Sequence, residues 1–376
     1  MSTIPFGEPP SAGKTAPRHH ADKVARYARL LVIRFSSFGD IIQASSVPAS
    51  FRKIFPEAEV DWLIRSDFKD LLQQHPIISQ VIPFDRKAGL TGLFKLAREL
   101  AATGQYTHIY DAHNNLRSRL FTLTYFLTAM MGRQRRFHFA RRPKDRLRRW
   151  LFFQFRLPVL PRPFRGAESF HRPLAKWGIE PEVPQGPQYW GQSSLPPSVL
   201  RDLRLLPRPL IIAAPSAAWA MKRWPVEHWK KLLSLMPHAG FVFLGGPEDL
   251  FISEITALAP ERTMNLAGRL NLAQSVSALP FADLVIANDT GLLHAADQME
   301  RPTLALIGPT AFGYPSHRTS EVLEIELNCK PCSKDGRGKC VNTLYQRCLV
   351  ELTPEHVAEQ AQKLLARQAE SKASKS

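Results

Sequence analysis

Two stretches of the chain alternate continuous apolar runs of strand length with segments of helical periodicity. In the first, residues 29–35 (RLLVIRF) form an apolar run bounded by Ser-Ser and Gly, the pattern of a strand buried on both faces. A polar loop at 36–40 follows, then helical periodicity over 41–55 that stops at Pro56. Further strands are predicted at 59–64, 81–84 and 108–112, and helices at 68–74, 90–103 and 116–131. Residues 133–149 break the alternation, and residues 185–208, rich in Pro, Gly and Ser, read as a linker. The alternation then resumes, with strands at 209–215, 240–246, 263–268, 283–288 and 302–308 and helices at 226–236, 250–258, 272–278 and 291–298. A closing helix follows, with Thr353 as its N-cap and Pro354 at its first position. The expected fold is α/β, with two doubly wound, Rossmann-like domains. The expected division is a disordered basic tail (1–28), a first domain (29–190), a second domain (205–350) and a closing helix and tail (351–376). Ligands of such sheets sit at the carboxyl ends of the strands, so the natural site is the cleft between the domains.

Composition adds that 44% hydrophobic residues in 376 are enough for real cores, which excludes wholesale disorder. No apolar stretch is long enough to cross a bilayer: the longest, 121–132, has about 12 residues where roughly 20 are needed. The N-terminus lacks the apolar core of a signal peptide, and all four cysteines lie between Cys329 and Cys348, so a cytoplasmic, reducing location is expected. The formal charge is +17, which points to a polyanionic partner: nucleic acid, anionic lipid or a phosphorylated substrate. Residues 133–149 alone carry nine Lys or Arg against one Asp, so much of the excess is local. Aromatic residues interleave with and follow that segment (Phe137, Phe139, Trp150, Phe152, Phe153), which suits a membrane surface and phosphorylated lipid, a disordered solvated loop being the alternative.

Five loops after predicted strands carry candidate chemistry. In FSSFGDIIQ, Asp40 is either a helix N-cap or a general base facing the cleft. In NDTGLLHAA, the backbone N–H groups of Thr290, Gly291 and Leu292 open a helix and suit a diphosphate, with His294 on the first turn; the plainer alternative is that Asp289 or Thr290 caps the helix. In PSAAWAMKRWP, Ser216 and the small alanines leave room for a ligand, and Lys222 is a point charge for phosphate or a solvated turn residue. Glu248 in the GGPE turn suits a ribose or base, or is an exposed turn acid. In DAHNNLRSR, Arg117 and Arg119 suit an anionic acceptor, or only a solvated helix start. The chain has no G-x-G-x-x-G or Walker lysine motif, which disfavours dinucleotide oxidoreductases and P-loop kinases. The quartet Cys329, Cys332, Cys340 and Cys348 is compatible with structural zinc, free thiols or disulfides, with Lys330, Lys334 and Arg337 around it. No catalytic metal motif is present.

Taken together, RFSSFGDIIQASSVPASFRKIFPEAEVDWLI, DAHNNLRS, KRWPVEHW, FLGGPED, NLAG and NDTGLLHAA, in this order over residues 30–361, resemble the family 9 glycosyltransferases, the heptosyltransferases of lipopolysaccharide core assembly. The resemblance implies a GT-B fold and metal-independent, inverting transfer from ADP-heptose to an anionic, lipid-linked core acceptor at the inner face of the inner membrane. It implies Asp40 as the base with Ser37 in the same loop, Lys222 on the diphosphate, Glu248 on the ribose, and Asp289, Thr290, Gly291, Leu292 and His294 on the diphosphate and donor sugar. Two departures stand out: Ala217 and Ala218 occupy positions where hydroxyl residues are usual, which leaves phosphate contacts there to Ser216 or the backbone, and His113 stands where glutamine is usual. Rival readings are another nucleotide-sugar donor, a nucleotide-sugar epimerase of GT-B form, and a nucleic-acid-binding protein; for the last, charge is the only support, so nucleic acid is not expected as a partner.

Overall fold

The computed structural model describes residues 28–132, 137–189 and 195–373. The tail expected over 1–28 therefore lies outside the described residues except for Ala28, which is buried.

The first lobe is a five-stranded parallel sheet of β1 (Arg29–Ile33), β2 (Glu59–Arg65), β3 (Gln80–Phe84), β4 (His108–Asp111) and β5 (His138–Arg141), in the order β3-β2-β1-β4-β5. Its helices are α1 (Phe38–Ala44), α2 (Val47–Ile54), α3 (Gly89–Ala102), α4 (Leu116–Met131), α5 (Arg146–Phe155) and α6 (Gly166–His171). The second lobe, entered through α7 (Pro197–Leu205), has six parallel strands: β6 (Leu210–Ala214), β7 (Gly240–Phe243), β8 (Thr263–Asn265), β9 (Leu284–Asn288), β10 (Thr303–Leu306) and β11 (Ser320–Leu323). Their order, β8-β7-β6-β9-β10-β11, is the 3-2-1-4-5-6 winding of a dinucleotide-binding sheet. Its helices are α8 (Val226–Leu235), α9 (Phe251–Thr256), α10 (Leu272–Ala278), α11 (Gly291–Gln298), α12 (Arg347–Val350) and α13 (Pro354–Ala373). In both sheets the strand order reverses beside the first strand, between β1 and β4 and between β6 and β9, and a crevice opens at such a switch point.

Three differences from the sequence reading have physical causes. The helix expected over 41–55 is two helices, because the hydroxyls of Ser45 and Ser46 turn back onto the carbonyls of Ile42 and Gln43, and Pro48 sits in the first turn of α2. Residues 133–149 do not simply break the alternation: they contribute β5, paired in parallel with β4, and the start of α5, and only 133–136 lie outside the described residues. The linker of 185–208 contains α7, while 190–194 lie outside the described residues. At the other end, Thr353 caps α13 as expected, its hydroxyl accepting from the backbone of His356 at 3.3 Å.

One apolar core runs through both lobes. It joins Leu30, Val32 and Ile41 of the first lobe to Ile212, Val285 and Leu293 of the second, with α1 lying against α11 at the crossing. Separate clusters fill the outer face of each sheet, and α13 packs on α8 against the outer core of the second lobe.

Candidate active site in the interlobe cleft

Asp40 stands in the first turn of α1, directly after the first strand of the first sheet. Ser37, not Asp40, occupies the N-cap position, so the capping alternative for Asp40 does not describe its place. The Ser37 hydroxyl donates to its carboxylate at 2.8 Å, Arg34 forms a close ion pair with it, and Arg142 stands at 3.6 Å. Arg34 is an arginine inside an apolar strand pattern, buried, and its other guanidinium nitrogen donates to the Ala112 carbonyl at 2.8 Å. Arg142 is aimed by the DAHNN turn. Buried Asp111 accepts from the backbone of His113 and Asn114, and Asn114, in the left-handed region at φ 51°, donates its side-chain amide to the Arg142 carbonyl at 2.7 Å. Burial alone would push the Asp40 carboxyl up; the guanidinium of Arg34, then that of Arg142, overrides this and holds it well below the usual carboxylate range. About a third of the side chain (34%) remains open to the cleft.

Across the cleft, Asp289 follows β9 and accepts an ion pair from Lys222 Nζ at 3.0 Å and a hydrogen bond from Thr310 at 2.6 Å, with His294 Nε2 at 3.9 Å. Lys222 and Asp289 are only 13% and 10% exposed in their side chains. Burial holds His294 below its usual value, and the Asp289 carboxyl, which burial would raise, is held low by Lys222. Thr290 is the N-cap of α11 but makes no side-chain cap bond, and Asp289 is engaged elsewhere, so the first N–H groups of α11 face the cleft without a side-chain cap. Asn288 ties the site together, accepting from the Trp224 backbone at 3.2 Å and donating to the Pro215 carbonyl at 2.6 Å, which fixes the KRWP and PSAA segments to the NDTG turn.

These groups line one cleft of about 670 Å³, which brings together Ser37, Asp40, Lys222, Asp289, Thr290, Gly291 and His294. Ser216, Arg117 and Arg119 are not among its lining residues; Ala218 and Trp219 take the wall beside Lys222, and both arginines are exposed, with Arg119 bonded to Asn114 at 2.9 Å. Leu292 is buried below the first turn of α11, so only its backbone N–H can serve a ligand. Glu248 is exposed at the turn after β7, where buried Asp249 does the organising, accepting from Gly246 N at 2.8 Å and pairing with Arg223 at 3.4 Å. The sequence reading missed Arg34, Arg142 and Asn288, all held by partners remote in sequence. The buried charge of Arg34 in an apolar run was the available signal. His113 also lines the cleft, pushed down to about 3 by burial and by Arg34.

The cysteines do not assemble a zinc site. All four are free thiols, and among the described residues no group of three or more His, Cys, Asp or Glu is arranged to hold a metal. Cys329 and Cys340 accept hydrogen bonds from Asn342 and from the Gln346 backbone, and burial pushes the Cys348 thiol up to about 11.

The lobes meet closely here. A Cβ on Gly291 would lie 2.1 Å from the Phe38 ring, and one on Gly39 would lie 3.1 Å from His294. Gly291→Ala is therefore expected to force α1 and α11 apart, costing about 1–3 kcal/mol in chemical denaturation together with a lower turnover; an unchanged denaturation midpoint would contradict this packing.

The family model for glycosyltransferase family 9 (heptosyltransferase) matches residues 93–341. The chain belongs to glycosyltransferase family 9. It is 25% identical to lipopolysaccharide heptosyltransferase 1 of Pseudomonas aeruginosa over 366 residues, covering 90% of this chain and 98% of that one. It is likewise 25% identical to lipopolysaccharide heptosyltransferase 2 of Escherichia coli over 358 residues, covering 90% and 98%. Among solved structures, E. coli ADP-heptose LPS heptosyltransferase II superposes with a TM-score of 0.65 at 22% identity, covering 91% of this chain and 99% of that one. The E. coli heptosyltransferase WaaC with ADP superposes at 0.61 and 20% identity, covering 89% and 99%. The fold of this family 9 enzyme is thus GT-B, and its activity class is glycosyl transfer.

Proposed function

We propose that this family 9 enzyme moves a heptose from ADP-heptose, with inversion and without a metal, onto an anionic lipopolysaccharide-core acceptor. The observation that carries the reading is the opposition of an ionised, partly open Asp40 at one switch point to Lys222, Asp289, His294 and the start of α11 at the other. In the step, an acceptor hydroxyl oxygen attacks the anomeric carbon as the bond to the diphosphate oxygen breaks. The hydroxyl proton passes to Asp40, and the electron pair leaves with ADP. Asp40 is a weak base, but the hydroxyl becomes acidic as its oxygen bonds to carbon, so an always-ionised carboxylate is well suited. Lys222 and the first N–H groups of α11 stabilise the charge growing on the leaving diphosphate. Glu248 follows the second strand of a dinucleotide-type sheet, where an acid can bond a ribose hydroxyl, while Ser216 or the backbone beside Ala217 and Ala218 serves the phosphates.

On this reading residues 29–190 receive the acceptor, residues 205–350 hold the donor, and residues 351–376 close the second lobe. Exposed Leu147, Trp150 and Phe155, interleaved with Arg146 and Arg148 on α5, suit peripheral contact with an anionic inner-membrane face; among the described residues no helix is long and apolar enough to cross a membrane. The relatives named for ADP-heptose and lipopolysaccharide support the donor and acceptor classes. The test is incubation with ADP-heptose and a Kdo–lipid A acceptor, following ADP release and the mass of the lipid. A heptose added to the lipid is expected. Donor turnover without acceptor would instead support the epimerase reading.

A further inference from the structure

We propose that the tip of the cysteine-rich loop, residues 333–338, is a second wall of the acceptor site, where Lys334 and Arg337 join Lys144 and Arg149 of the opposite lobe in a subsite for a phosphate or carboxylate of the acceptor. The proposal rests on the transferase reading and assigns a function to a loop that the proposed chemistry leaves unused.

The cleft is lined by seven Lys or Arg side chains and only three carboxylates. Two of those acids are occupied, Asp40 by Arg34 and Arg142 and Asp289 by Lys222. The third, Asp335, stands 3.5 Å from Arg337 with both side chains partly open to water, where such a pair contributes little. Among the described residues Lys144, Arg149 and Lys334 have no carboxylate within ion-pair distance, and the buried Nε of Arg149 has no hydrogen-bond partner while its guanidinium lies 4.5 Å from the centre of the Phe312 ring. Lys144 is depressed by burial and by neighbouring cations that include Lys334, which places charges of the two lobes within reach of each other. Like charges so gathered, outnumbering the acids that line the cleft, suit an anion brought by a ligand.

The loop tip is built to hold this position. The Ser333 hydroxyl donates to the Arg337 carbonyl at 3.0 Å and accepts from Gly336 N at 2.9 Å, which closes the turn. Gly336 adopts φ 91°, and a Cβ there would lie 2.6 Å from the Lys222 stem, so the turn rests directly on the lysine proposed for the diphosphate. Arg337 stacks over Trp219 at 4.9 Å, and Ser333 is tied to the Pro309 carbonyl at 3.1 Å, next to the Thr310 that bonds Asp289. The tip thus stands between the proposed donor phosphates and the acceptor lobe, and an anion held there is gripped from both lobes.

A phosphate at this place has two conceivable sources, the acceptor and the donor diphosphate, and the test separates them. Lys334→Ala/Arg337→Ala removes two exposed side chains, of which only Arg337 makes a packing contact, its stacking over partly exposed Trp219. With an anionic acceptor its KM is expected to rise about tenfold or more while kcat stays within about threefold and the Kd for ADP within about twofold. With the same acceptor dephosphorylated and its carboxylates esterified, the variant and the wild type are expected to share one KM. An unchanged KM for the anionic acceptor, an equal loss with the neutral one, or a tenfold rise in the Kd for ADP would each overturn the proposal, the last by giving the anion to the donor. Failure of the transferase reading shows differently, as no wild-type turnover with either acceptor.

Discussion

Asp40→Asn is expected to lower kcat by about 10²- to 10⁴-fold, the usual contribution of a positioned general base, while the Kd for ADP stays within about twofold. The amide keeps the shape of the carboxylate and can still accept from Ser37, but it cannot take the acceptor proton. Single-turnover assays with saturating donor and acceptor, beside calorimetric ADP binding, separate the two effects. Retained turnover would remove Asp40 from the base role. The pH dependence follows from the same environment. The folded-state value of Asp40 is depressed, so the stability its ion pairs contribute is present above the unfolded value of about 4 and is lost only as pH falls through the lower folded value. His113 is pushed down to about 3 and His294 is held below its usual value, both first by burial, so neither Asp40 nor His113 titrates between about pH 6 and 8. The rate is expected to be flat over that range, and an inflection that disappears in Asp40→Asn would contradict the assignment.

The second large effect is expected for Lys222→Ala. A charge-assisted hydrogen bond to phosphate contributes about 1.5–3 kcal/mol, so the Kd for ADP is expected to rise about 10- to 150-fold. The substitution also leaves Asp289, 10% exposed in its side chain, without its cation, and that carboxylate then repels the diphosphate. Both consequences act in the same direction, so an unchanged Kd measured by calorimetry would remove Lys222 from the donor site. A rise in KM for the acceptor alone would point to the opposite wall of the cleft.

Much of this architecture was legible because parallel strands buried on both faces read as continuous apolar runs. Residues 29–35, 209–215 and 283–288 contain β1, β6 and β9, and the segments that follow them carry Asp40, Lys222 and Asp289. The half-exposed edge strand β11 left no such run and was not predicted. Nor does hydrophobic periodicity register a pair of serines that stops a helix by turning back on its carbonyls, as Ser45 and Ser46 do. The electrostatics of the site were hidden for a different reason. Arg34 meets the Ala112 carbonyl, and Arg142 meets Asp40, through sheet pairing that brings together segments about 80 to 100 residues apart. Arg117 and Arg119 lie in the first turn of α4 and outside the cleft lining; which residues of a helix's first turn look into a cleft depends on the angle at which the helix leaves the sheet, and the sequence of that turn does not encode the angle.

The shared core beneath α1 and α11 has a mechanical consequence. Any rotation that opens the lobes while keeping Ile41 and Leu293 in one packed interior must turn about an axis close to Gly39 and Gly291. Displacement grows with lever arm, so side chains at this fulcrum move least and those at the mouth of the jaw move most. On the proposed reading, Asp40 and His294 sit at this fulcrum, so their mutual geometry would change least as the aperture for donor and acceptor widens or narrows.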